Sequence, residues 1–132
     1  MASHFSKALL NGKVLPINDT SISEDIQIED AFVNKVKDII EVNYTDENFS
    51  LPQLCLLIGM SRSQLFRKMK AVTDTSPSDL IRSYRLNKAR ALLQGGDVTV
   101  AEVTYQVGFR DPSYFSKIFQ EEFGVVPSSV TK

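Results

Sequence analysis

Arg67 and Lys117 are the side chains whose type and setting suggest chemistry, and it is the chemistry of recognition. Arg67 shares an i, i+3, i+4, i+7 spacing with Ser63, Phe66 and Lys70, and Lys117 shares one with Ser113, Ser116 and Gln120. Behind these faces run apolar stripes, Leu65, Met69 and Val72 in one segment and Phe115, Ile118, Phe119 and Phe123 in the other. A helix built this way buries one side and offers the other side's donors to a partner. Cations flanked by hydroxyls and an amide suit base edges and phosphates, and a major groove admits a helix. A bidentate Arg on guanine O6 and N7 contributes roughly 1–3 kcal/mol of discrimination. Taken singly, both cations read more readily as solvated surface charges. Phe66 is either the edge of the core stripe or an apolar probe for a thymine methyl.

An internal repeat bears on the reading of the two cations. SLPQLCLLIG (50–59) lines up with TVAEVTYQVG (99–108) at an offset of 49, and Leu65 and Met69 line up with Phe115 and Phe119 at an offset of 50. Ser76-Pro77-Ser78 continues the match at Val126-Pro127-Ser128, so the second copy carries one extra residue between Gly108 and Phe115. Arg67 and Lys117 therefore occupy matching positions. Each copy reads as a capped helix, a glycine turn and a second helix, the layout of a helix-turn-helix. Gly59 and Gly108 supply the turns. Cys55 and Thr104, also in register, supply small side chains between helices.

The elements that must position these faces follow from caps and stops. Ile28, Phe32, Val36 and Ile40 predict a first helix over 28–43, behind an acidic linker or leader at 1–27. Ser50 with Gln53 predicts a capping box, with Pro52 tolerated in the first turn. A third helix is expected from Arg62 to Val72. Ser76-Pro77-Ser78-Asp79 opens a long helix over 77–94 that Gly95-Gly96 stops. Thr99 with Glu102 forms another capping box, and the last main helix runs from Asp111-Pro112 to Gly124. No segment reads as a strand, so the expected class is all-α, with helix-turn-helix units at 50–73 and 99–124. The linking helix of about 18 residues would span roughly 27 Å. That length suits reading helices about one DNA turn, roughly 34 Å, apart.

Composition narrows the function. The chain has 132 residues, 42% hydrophobic, with net charge −1. Residues 1–48 carry net −5 and residues 49–132 carry net +4, the asymmetry of a basic module behind an acidic leader. Cys55 has no disulfide partner, and one cysteine with His4 cannot build a structural zinc site. No apolar run approaches membrane-spanning length, so a cytoplasmic protein without membrane contact by this segment is expected. There is no nucleophile elbow, phosphate loop or metal-spaced ligand set, so neither catalysis nor a cofactor is expected.

The residues together resemble the DNA-binding domain of the AraC/XylS family of bacterial transcription regulators. Leu54, Gly59, Ser61, Leu65 and Arg67 carry the likeness in the first unit, SPSDLIRSYRLNKARALL (76–93) in the link, and VAEVTYQVGFRDPSYFSKIFQEEFGVVPS (100–128) in the second. The resemblance implies a domain over 28–132 with about seven helices, bound to double-stranded DNA across two successive major grooves. Base-reading positions would be Ser63, Phe66 and Arg67, then Pro112, Ser113 and Lys117. Ser61, Arg62, Lys70, Arg82, Arg85, Arg110 and Ser116 are further candidates for backbone or flanking contacts. Asp74 departs from the family's usual glycine, and Cys55 and Thr104 from its common alanine. Phe66 and Pro112 are poor hydrogen-bonding readers, which shifts weight to DNA shape. Val130-Thr131-Lys132 lacks the family's aromatic-basic ending, which bears on the last short helix. The leader and MSRSQLFRKMKAVTDTSPSDLIRSYRLNKA are similar to output domains of hybrid two-component regulators. That likeness implies upstream receiver or sensor domains outside this chain, and a dimer formed in the full-length protein. The rival reading is a helical protein-interaction module, whose binding would depend weakly on salt.

Overall fold

The computed structural model describes residues 20–131, with side chains from residue 30 onward. Among the described residues there are six α-helices, one 3-10 turn and no strand. The helices are α1 (Thr20–Asn43), α2 (Leu51–Ile58), α3 (Arg62–Val72), α4 (Pro77–Gly95), α5 (Val100–Gln106) and α6 (Pro112–Phe123). The tail closes in a 3-10 turn, Pro127–Ser129. The expected all-α class with paired short helices is what the chain adopts. Residues 1–19 of the expected leader lie outside the described residues. Helix α1 starts at Thr20 rather than Ile28; from Thr20 to Asp25 Ile22 is the one apolar residue, too few to show a helical period.

The chain divides into two compact units, residues up to 39 with 51–77, and residues 40–50 with 78 onward. In the first unit α2 packs against α3. Its buried residues are aliphatic for the most part: Val33 and Val36 from α1, Leu51, Leu54 and Ile58 from α2, and Leu65, Met69 and Val72 from α3, with Phe32 the one ring among them. The Lys68 ammonium lies 4.8 Å from the centroid of that ring. Ser61 is the N-cap of α3, with a full capping box to Gln64, which satisfies two of the helix's orphan donors.

The second unit is built on aromatic rings. Leu86, Ala89 and Leu93 of α4 cluster with Val103, Val107, Phe109, Phe115, Ile118 and Phe119. Phe109, Phe115, Phe119 and Phe123 run in succession with centroids 5.4, 5.6 and 4.6 Å apart. Thr99 caps α5 with Glu102 completing the box, Asp111 caps α6, and Gly124 ends α6 in the left-handed region. Thr104 is buried, and its hydroxyl donates to the Val100 carbonyl at 2.7 Å. A small hydroxyl thus fits the core without an unpaired polar atom.

Gly108 is the tightest point. Its φ is +100°, and a Cβ there would overlap the Tyr44 carbonyl oxygen and sit 2.7 Å from Arg85 Nε. Gly124, at φ +79°, has open space around it. Gly108→Ala is expected to destabilise the chain by about 3 kcal/mol or more, conformational strain plus overpacking. Gly124→Ala should cost only the conformational part, about 1 kcal/mol. Urea unfolding of the two variants checks this, and equal losses would mean that the close approach is relieved cheaply.

Candidate nucleic-acid interface

Each unit offers one helix face free of the core. On α3, Leu65, Met69 and Val72 are buried while Ser63, Phe66, Arg67 and Lys70 are exposed together. Phe66 is 40% exposed, which takes it out of the core stripe. On α6, Phe115, Ile118 and Phe119 are buried and Ser113, Lys117 and Gln120 are exposed. Pro112 and Ser116 are half-buried at the margin of that face. Pro112 occupies the first turn of α6, where its missing N–H leaves no acceptor unserved. The residues expected to read bases are therefore brought onto the predicted face in each unit.

The flanking candidates divide into three groups. Arg62 is exposed at the start of α3 beside Ser61. The Ser61 hydroxyl oxygen accepts from the Gln64 N–H at 3.2 Å, which leaves its hydroxyl hydrogen as the donor it can offer a phosphate. Arg82 is exposed and donates to Asp79 at 2.6 Å, one helical turn away. Arg110 is exposed in the turn before α6.

Arg85 belongs to none of these, and the expectation that it contacts the DNA backbone is corrected. It is 9% exposed. Its Nε donates to the Tyr44 carbonyl, and one terminal nitrogen donates to the carbonyls of Asp46 and Phe49, each at 2.9 Å. Burial pushes the guanidinium below its ordinary pKa, and the Asp46 carboxylate works against that shift. Arginine remains charged in such a setting. Its Nε and one terminal nitrogen thus serve the chain's own backbone. A sequence signal existed: Ile81, Arg85, Ala89 and Leu93 recur every four residues, which puts Arg85 on the buried stripe of α4.

Among the described residues no group of His, Cys, Asp and Glu could hold a metal ion, and no helix is long and apolar enough to cross a membrane.

The comparisons with known proteins agree with this geometry. The model of a helix-turn-helix domain family matches residues 54–132, so the chain belongs to that family, in its AraC-type branch. Histidine kinase P4 of Formosa agariphila is 36% identical over 118 residues, which are 89% of this chain and 8% of that protein. The chain therefore spans a small fraction of that relative's length. The C-terminal domain of the two-component response regulator yesN from Fusobacterium nucleatum superposes with a TM-score of 0.72 at 27% identity. That likeness covers 77% of this chain and 99% of the other. An AraC-type transcriptional regulator from Chromobacterium violaceum gives a TM-score of 0.67 at 29% identity, over 74% of this chain and 86% of its own.

The corrected role of Arg85 has a measurable consequence. Arg85→Met strips the Tyr44, Asp46 and Phe49 carbonyls of their guanidinium donor, though Asp46 keeps the Phe49 N–H, and should lower stability by about 3–5 kcal/mol, as breaking a buried charged network does. Arg82→Ala removes only an exposed pair and should cost less than about 1 kcal/mol. Chemical denaturation of both variants reads the difference. Comparable small losses would return Arg85 to the surface.

Proposed function

We propose that this chain is the DNA-binding output module of a bacterial two-component regulator, reading two successive major-groove segments with α3 and α6. The observation that carries the reading is the repeat in three dimensions. Two helix-turn-helix units each turn an exposed Arg or Lys, at matching positions, away from their own core. Similarity to a histidine kinase and to a response-regulator output domain supports the two-component assignment. The role is recognition rather than catalysis. Receiver or sensor domains would lie elsewhere in the whole protein, which would act in the cytoplasm and would pair two such modules on tandem sites. Arg67, Ser63 and Phe66 would read bases from α3, and Lys117, Ser113 and Pro112 from α6. Phe66 contributes apolar contact, the kind a thymine methyl offers.

Selection from random duplexes, repeated at two salt concentrations, tests this. The selected site is expected to hold two half-sites about one helical turn apart, and affinity should fall steeply with salt. Arg67→Ala should cost roughly 1–3 kcal/mol on the selected site and relax preference at one or two base pairs, with a much smaller loss on random DNA. Equal losses on both would make Arg67 a phosphate contact. Binding that ignores salt and sequence would favour a protein partner instead.

A further inference from the structure

The turn of the second unit contains a residue for which the first unit has no counterpart. Gly59 and Gly108 are both left-handed turn glycines, and Ser61 and Asp111 are the two N-caps of α3 and α6. Only Met60 lies between the first pair, whereas Phe109 and Arg110 lie between the second. Phe109 is buried in the aromatic cluster, much as Met60 is partly buried in its own unit. Arg110 is thus the inserted residue, and it is 63% exposed.

Arg110 is held from one side. One terminal nitrogen donates to Asn48 Oδ1 at 2.6 Å, and Nε stands 3.7 Å from the Glu47 carboxylate, which is 51% exposed. Both partners come from the segment after α1, the same segment whose carbonyls Arg85 binds. The contrast with Arg85 is informative. Arg85 is sealed under three backbone acceptors, while Arg110 faces solvent with a weak ion pair that a stronger anion could displace. In a helix-turn-helix the N-terminal residues of the second helix meet base edges. The turn just before them then lies at the groove edge, where the phosphates run.

We propose that Arg110 is a phosphate-binding side chain restrained by Glu47, so that the 44–49 segment opposes DNA binding by the second unit until a backbone phosphate takes the Glu47 carboxylate's place. This rests on the DNA-reading function proposed above and adds a restraint to it. Glu47 must be displaced or share the guanidinium when DNA arrives, and its charge lowers affinity in either case.

Titrations of the 132-residue chain and its variants against the selected duplex and a random duplex, over a salt series, test the proposal. Glu47→Gln is expected to tighten binding to both duplexes by about two- to fivefold at low salt, the range an exposed ion pair spans. Arg110→Ala should weaken both alike and flatten the dependence of log K on log salt by about 0.9, one phosphate contact. In the Arg110→Ala background, Glu47→Gln should bring no gain. The restraint is overturned if Glu47→Gln is neutral or weakening, if its gain survives without Arg110, or if Arg110→Ala leaves the salt dependence unchanged. Should the wild-type chain bind no duplex, the DNA-reading function and the restraint fall together. Should Arg67→Ala and Lys117→Ala weaken binding while Glu47→Gln does nothing, only the restraint falls. Thermal unfolding of each variant serves as the folding control.

Discussion

A single buried cation organises the second unit. Arg85 projects from α4 and ties down the carbonyls of Tyr44, Asp46 and Phe49, which follow α1. The Asp46 carbonyl also accepts from the Phe49 N–H at 3.0 Å, and a buried carbonyl left without a donor is costly. A guanidinium carries several donors in one rigid fork, so one side chain satisfies all three. Its carbon also lies 5.9 Å from the Phe109 ring centroid, which brings the α5–α6 turn into the same arrangement. Gly108 must then be glycine, because the Tyr44 carbonyl occupies the space a side chain would need. From this one interaction follow the path of the 44–49 segment, the placement of the turn and the start of α6.

The two units solve the same problem with different means. Each presents one amphipathic helix whose polar face carries a cation at the matching position, and each fixes that helix with an N-cap immediately before it. The first unit fills its interior largely with aliphatic side chains and Met69. The second uses a run of phenylalanines, Phe109 from the turn and Phe115, Phe119 and Phe123 from α6, clustered with Val103 of α5. Beyond packing, the second unit takes in residues 40–50, and with them Glu47 and Asn48, the neighbours of Arg110. The duplication is thus a shared scaffold on which the second copy carries one extra turn residue, Arg110.

Much of this was legible in the residues. Start and stop residues placed the boundaries of α6 closely, because Asp111 and Gly124 act through local backbone chemistry. The exposed faces followed from helical period alone. Arg85 was misread because a charge in a helical pattern suggests solvent, while its acceptors lie 36 to 41 residues earlier in the chain. Arg110 stands in the sequence as a candidate for a backbone contact, but its Asn48 partner is 62 residues away, and no periodicity reports such a contact. The start of α1 escaped notice because polar residues can be helical without showing a face.

The central claim is that α3 and α6 meet DNA with their cationic faces while the Arg85 arrangement of the second unit stays closed. Titrating the selected duplex into isotope-labelled chain and following backbone and guanidinium resonances by NMR tests it most directly. The account predicts that perturbations concentrate on Arg62 to Lys70 and on Arg110 to Lys117, and that the Arg85 guanidinium protons remain as protected as in the free chain. Perturbations confined to α2 and α5, or loss of Arg85 protection on binding, would contradict it.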